Sequence, residues 1–489
     1  MRFFLAACLF LSSAPLLAQA LNPPSAAPEP EPKSNAGLRE LPPSELDSKL
    51  AGITDTAELI NAATALAARG QHVDSARVWR RLADLRPHMG YYRYEMAAEL
   101  ATNNYKSLVY NALLHLQTQG YAFEAENDKR FVLVNDTEVW DYTIKALQAN
   151  RERFGEGKVY RTLPREDLLI ESLAWDASRD ALLVGSAREG AVYRVGADGQ
   201  LTALLRADEQ NGMWGVFDLA VDAERGVLWI ASTAVPHFKD YDAEQDLGGA
   251  GIFKFDLKTG RFIKRFLSPQ IAGQQFFMSS LALSSDGTIY AADGVNNAIY
   301  AVRDDQLKRV LHAPTLTSIR GMTVSADGRR LYFADYERGL FGMDLASMKP
   351  FEVAVPQRLA LGGIDGVRMW KGQLVLVQNG MLPKRVMRVA LSEDGRQITA
   401  VQPLEANQPA LSLPTLATLD GDRLLLIANS QKGNYDRFGL LRDKSKLEGT
   451  VIYELDLEFG DRAPTGAPAP MPKLPAAVQP AAKPAESGD

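Results

Sequence analysis

Apolar and polar positions fall into one phrase that recurs six times between positions 171 and 457. Each phrase is a short apolar strand, a tight polar turn, and a second apolar strand ending in small or acidic residues. Residues 172–176 (SLAWD) lead into 181–186 (ALLVGS), 218–222 (DLAVD) into 227–232 (VLWIAS), and 280–284 (SLALS) into 288–293 (TIYAAD). Residues 321–325 (GMTVS) lead into 331–335 (LYFAD), 366–369 (GVRM) into 374–379 (LVLVQN), and 416–419 (LATL) into 424–429 (LLLIAN). A period of roughly 40–60 residues is that of a four-stranded blade, so the pattern predicts a mainly β fold, a six-bladed β-propeller. The last phrase ends in a third strand at 450–455 with no fourth to follow. Residues 158–163 have strand character and no blade of their own. Pairing the two closes the ring and hides two edges that would otherwise recruit other strands.

Before the strands, residues 45–155 carry a helical period. Residues 57–68 are rich in Ala and Leu and stop at Gly70. Residues 74–85 place Ala76, Trp79, Leu82 and Ala83 on one face and stop at Pro87. A second pair, 91–100 and 108–116, ends near Gly120. Gly and Pro just past an apolar-periodic run are helix stops. The spacing predicts a small all-α domain of helical hairpins. Small residues at the helix crossings and Pro at the end resemble tetratricopeptide repeats, over one and a half to two repeats. That resemblance implies a concave surface for a protein or peptide partner; a helical cap that only packs on the propeller is the other reading.

Composition narrows the class. The chain has 489 residues, 46% hydrophobic and 23% charged, with a formal net charge of -6. That balance lacks the basic stripe that nucleic-acid binding needs. Arg2, an apolar run over 3–17 and Ala18-Gln19-Ala20 read as a secretory signal over 1–20, cleaved after Ala20. A periplasmic or secreted protein with no membrane span after cleavage is expected. Cys8 is the only cysteine. Its Leu5-Ala6-Ala7-Cys8 context resembles a lipoprotein box but comes before enough apolar core. The mature chain then has no disulfide, thiol nucleophile or thiolate metal site. Residues 21–44 form a Pro/Ala-rich linker and 461–489 a disordered tail of the same kind, with the propeller placed over 158–460.

In a propeller the start of each innermost strand faces the mouth of the central channel. Those positions are Glu171, Phe217 with Asp218, Ser279 with Ser280, Arg320, Ile364 with Asp365, and Pro414 with Thr415. Carboxylates gathered from separate strands suit a hard cation such as calcium, which takes six to eight oxygens. Arg320 between Glu171 and Asp365 would neutralise the cluster without a metal. The metal set on this reading is Glu171, Asp218 and Asp365, with Asp218 or Asp365 as a catalytic base for activated water. Ser279, Arg320, Thr415, Asn379 and Asn429 are candidate ligand contacts. Asp293, Asp335, Gln378, Asn379 and Asn429, each ending a second strand, equally suit turn capping.

The opening Glu171-Ser172-Leu173-Ala174-Trp175-Asp176, with the six phrases, resembles the gluconolactonase/regucalcin (senescence marker protein) family of propellers. The resemblance implies one divalent metal at the mouth, held by a Glu, two Asn and an Asp, and opening of lactones or related esters by metal-bound water. By position Glu171 matches the Glu and Asp365 the Asp, while Phe217 and Ser279 stand where the two Asn belong. Residues 251–260 of the second blade also resemble the yellow/royal-jelly propellers, which implies fold and secretion only.

Other chemistry is thin. His237 and His312 lack metal-ligand spacing, and there is no nucleophile elbow, P-loop or dinucleotide fingerprint. Asp240, Asp242 and Glu244 alternate as in a calcium loop, but Gln245 and Gly251 replace the turn Gly and closing Glu, leaving a solvated insertion. Residues 434–438 form a second insertion. Three readings follow: a divalent-metal-dependent lactonase or esterase, a ligand- or protein-binding module, and a propeller that kept its fold and lost its metal.

Overall fold

The computed structural model describes residues 40–461, apart from Gln270 and Ala272. The signal sequence with Cys8, most of the Pro/Ala-rich linker and nearly all of the C-terminal tail lie outside the described residues. Six four-stranded antiparallel sheets make the propeller. Their innermost strands are Ile170–Asp176, Gly215–Asp222, Met278–Leu283, Ile319–Val324, Ile364–Trp370 and Ala417–Asp420, which define blades one to six. Blade six takes its outer strand from the start of the propeller: Lys158–Thr162 pairs antiparallel with Val451–Asp456. Ring closure is therefore made by main-chain hydrogen bonds between distant parts of the chain.

The core is divided into six seams, one between each pair of neighbouring blades. Tyr290, Ile299 and Leu311 of blade three meet Met322, Phe333 and Phe341 of blade four in one. Ile427 and Ile452 of blade six meet Leu173, Leu182 and Tyr193 of blade one in another. Second strands read as continuous apolar runs because both of their faces are covered: Val227–Thr233 and Ala181–Ser186 are buried throughout. Burying a Leu, Ile or Phe side chain contributes about 1.5–3 kcal/mol, so each seam outweighs any single ion pair.

The helical region runs α1 (Glu45–Leu50), α2 (Thr56–Ala68), α3 (His72–Leu85), α4 (Gly90–Ala101), α5 (Lys106–Thr118) and α6 (Glu138–Ala149). Each of α2 to α5 packs on the next. Asp55 caps α2 by accepting the amides of Ala57 and Glu58. Gly70 and Gly120 end α2 and α5 with positive φ of 76° and 86°.

The helices dock over blades four and five. Arg385, half-buried in blade five, donates to the Gln119 carbonyl past the end of α5 (3.2 Å), to the Ala360 carbonyl (3.0 Å) and to Gln378 (2.7 Å). Arg86 pairs with Glu337 at 2.9 Å, and the Ala122 amide donates to the Leu382 carbonyl at 2.8 Å. Ala360 and Met381 of the propeller enter the helical core. These propeller residues lie on turns after second strands, on the strand ends that flank such a turn (Gln378 and Arg385), or on links into the next blade. Such turns open on the face where the inner strands begin, so the helices stand beside the channel mouth.

Tyr121 pins this junction. Its hydroxyl accepts the Gly90 amide and donates to the His88 carbonyl, both at 2.9 Å. His88 in turn accepts the Leu361 amide at 3.4 Å. Tyr121→Phe keeps the ring and strands a buried N–H, so it is expected to lower unfolding free energy by about 1–3 kcal/mol. Chemical denaturation checks this, and an unchanged midpoint would remove Tyr121 from the junction.

Candidate functional site at the channel mouth

The same irregularity recurs at the head of the inner strands. Pairing with the second strand slips between Ile170 and Ser172, Val216 and Asp218, Met278 and Ser280, Ile319 and Met322, and Ile364 and Gly366. A bulge leaves one residue unpaired and re-aims its side chain. The residues skipped are Glu171, Phe217, Ser279, Arg320 with Gly321, and Asp365. Thr415 holds the matching place in blade six, its amide bonded to the Ile427 carbonyl at 3.0 Å. These six heads form the rim of the channel.

The rim has two characters. Phe217 and Phe277 lie with ring centroids 4.7 Å apart and make an aromatic arc at blades two and three. From blade four round to blade one the rim is charged. Asp365, buried, accepts the Asn379 amide at Oδ2 (2.6 Å). Lys432 Nζ stands 3.7 Å from the same oxygen, and Arg320 Nη1 stands 3.9 Å from Oδ1. Burial would push Asp365 up, but Lys432, Arg320 and the Asn379 amide outweigh it and hold the carboxyl below the ordinary aspartate range. Glu171 goes the other way. Burial raises it, and Asp365 adds to the rise, against the pull of Lys432, Arg320 and the Ser430 hydroxyl that donates to Oε1. Two carboxyls whose environments drive them apart can hold and release protons at different pH.

Gly363 sets the neighbours of Asp365. Its φ of 72° is open to glycine, and a Cβ there would strike Gly380. Its amide donates to the Tyr336 carbonyl (2.6 Å) and its carbonyl accepts the Asn379 amide (2.8 Å). Tyr336 then donates its hydroxyl to Asn379 Oδ1 at 2.9 Å, and Asn379 Nδ2 also donates to the Pro414 carbonyl at 2.7 Å. Burial and nearby Asp365 push the Tyr336 hydroxyl up to about 12, so it stays a donor.

Asp218 does not join this cluster. It is wholly buried one residue past the bulge, where it accepts the Leu219 amide (2.8 Å) and the Leu281 amide (2.7 Å). Burial raises it to about 6, against the pull of half-buried Arg368. It stitches blade two to blade three. The predicted metal set of Glu171, Asp218 and Asp365 is therefore not assembled, and among the described residues no three His, Cys, Asp or Glu form a metal-holding group. The remaining donors do not suit a divalent cation either. Phe217 offers no oxygen, and both oxygens of Asp365 face cations. Like charges about 4 Å apart repel by roughly 4 kcal/mol at an effective dielectric near 20, and a dication meets twice that.

Asn429 is also corrected as a ligand contact. It accepts the Val451 amide (2.6 Å) and donates to the Gly449 carbonyl (3.1 Å), which anchors the blade-six insertion. Asp293 accepts the amides of Phe277, Val295 and Asn296, and Asp335 those of Thr317, Ser318, Glu337 and Arg338. Gln378 spans the Ala360 and Gly362 carbonyls. These are turn caps. Of this second group only Asn379 touches the rim charges.

Lys432, Ser430, Tyr336 and Phe277 were not singled out by sequence. The first two lie in an insertion and Tyr336 in a turn, where no periodicity marks a side chain as inward. The insertions of blades two and six meet beside blade one. Arg188 pairs with Asp167 (3.0 Å) and donates to the carbonyls of His237 (2.8 Å) and Gly439 (2.9 Å), and Tyr435 donates to Asp167 at 2.7 Å. Loops and helices thus wall the mouth on two sides. Two surface hollows, one at residues 392–397 and one beside Phe276 and Tyr300, lie away from this rim.

No protein-family model matches the chain, and no curated protein sequence does. Similar solved structures include the PQQ-bound aldose sugar dehydrogenase of Streptomyces coelicolor, at 16% identity and a TM-score of 0.42, over 62% of this chain and 100% of that one. A gluconolactonase of Xanthomonas campestris has 14% identity and a TM-score of 0.39, over 63% and 92%. Virginiamycin B lyase of Staphylococcus aureus has 14% identity and a TM-score of 0.40, over 62% and 100%. Likeness at this level says nothing of activity.

Asn379→Asp would set a second carboxylate against Asp365 and the Pro414 carbonyl. It is expected to destabilise the fold at pH 7 by about 2–4 kcal/mol, as for a broken buried polar contact. The new carboxyl would have a raised folded pKa, so its penalty fades as pH falls through that value. Denaturation midpoints at pH 7 and pH 5 check this: the gap to wild type should narrow at pH 5.

Proposed function

We propose that this chain is an exported binding module whose propeller holds a small ligand at its mouth, on a lactonase-type site that has lost its metal. The observation that carries this reading is the placement of Arg320 and Lys432 against the two oxygens of Asp365. A divalent cation on Asp365 would have to meet the charge of both. A site of this kind keeps the concave rim, the charge and the aromatic arc, and gives up the Lewis acid. The export reading rests on the signal sequence alone. A protein or peptide partner for the helical domain is supported by its exposed Tyr91, Val132, Leu133, Val139 and Tyr142. The competing function, a lactone or ester hydrolase with metal-activated water, needs calcium or a similar cation between Glu171 and Asp365.

Calorimetric titration of the full chain with calcium separates the two. The expected result is no saturable heat in the wild type or in Glu171→Gln. Tight binding that Glu171→Gln abolishes would restore the hydrolase and displace the binding module.

A further inference from the structure

The charged arc contains a guanidinium without acceptors. Arg320 carries five N–H donors. Its Nε is buried with no hydrogen-bond partner among the described residues. Its closest carboxylate oxygen, on Asp365, is 3.9 Å from Nη1, beyond hydrogen-bond reach. Arg385, half-buried like Arg320, spends its donors on Gln378 and on the carbonyls of Ala360 and Gln119. Arg320 instead lies over the Tyr336 ring, 5.4 Å from its centroid, which holds the guanidinium in place without using its donors. A fixed guanidinium with open donors matches the paired oxygens of a carboxylate or phosphate.

The surroundings agree. Asp365 balances one of the two cations, Arg320 and Lys432. Burial disfavours the charged form of Glu171, so the second cation is incompletely balanced. Two hydroxyl oxygens of the rim, Ser279 Oγ and Thr415 Oγ1, are buried without hydrogen-bond partners among the described residues. Across the mouth, half-buried Phe217 and Phe277 offer aromatic surface and no charge. A bare inorganic ion would leave that surface idle, and a neutral apolar molecule would leave Arg320 unmet.

We propose that the mouth receives a small organic anion, a carboxylate or phosphate ester on a planar apolar body. Arg320, seconded by Lys432, takes the anion, and the Phe217–Phe277 arc takes the body. This rests on the mouth being a ligand site, and adds the class of ligand.

The test is calorimetric titration of the full chain at pH 7 with phenylacetate, neutral phenylacetamide and inorganic phosphate. Phenylacetate should bind saturably and at least tenfold more tightly than either of the others. Arg320→Gln, shown folded by its melting curve, should bring phenylacetate down to the level of phenylacetamide. Arg320→Lys should fall between, since it keeps the charge and loses the fork. Phe217→Ala should weaken both aromatic probes and leave phosphate unchanged. Equal binding of phenylacetate and phenylacetamide, lost in Phe217→Ala, would overturn the anion and leave the mouth a ligand site. Phosphate binding as tightly as phenylacetate would overturn the planar body. No saturable binding of any probe to the folded wild type would overturn the inference outright, whatever the calcium titration had shown.

Discussion

A carboxylate on the innermost strand of a propeller has to be neutralised, and Asp365 is neutralised by the chain itself. Its bulge turns it into the channel, its burial makes an uncompensated charge costly, and three side chains from elsewhere answer it. Arg320 comes from blade four, Asn379 from the end of the next strand, and Lys432 from the insertion of blade six. Most of the mouth follows from this. Asn379 brings Tyr336 and the Pro414 carbonyl with it, Tyr336 carries Arg320, and Ser430 beside Lys432 reaches Glu171. The positive charge that balances Asp365 is present as side chains.

The rest of the molecule serves to keep that rim in one shape. Six apolar seams fix the inner strands, and the Lys158–Thr162 strand closes the ring. The helical domain docks on the mouth face through Arg385, Arg86 and Tyr121 rather than on the far side. The insertions of blades two and six are joined by Arg188, Asp167 and Tyr435. The mouth is thus bounded by elements from both ends of the described chain, each held by buried or partly buried polar contacts.

The propeller was legible in the sequence because strand periodicity survives in every blade. Runs such as Val227 to Ser232 and Leu374 to Gln378 are largely apolar, too short for a helix and bounded by polar turns, and together those features mark buried strands. The inward positions were legible too, since the repeat places Glu171, Phe217, Ser279, Arg320 and Asp365 at equivalent points. What each does there was not. Asp218 sits one residue past Phe217, and the pleat turns that single step from channel rim to strand interior. Asn429 and Asn379 occupy the same place in their phrases, yet one ties down an insertion and the other meets Asp365. Lys432 could not be found at all, because a lysine in a polar loop carries no signal of where its ammonium lands.

The most direct test of this account is the titration of Asp365 in the intact protein, by 13C NMR of aspartate carboxyls, assigned with Asp365→Asn. Neutralisation by Arg320, Lys432 and Asn379 predicts a midpoint below the ordinary 3.8, with the carboxyl still fully ionised at pH 5, and an upward shift in Lys432→Met. A midpoint above the ordinary value, unmoved by Lys432→Met, would mean that burial wins and that the chain does not supply the charge its channel needs.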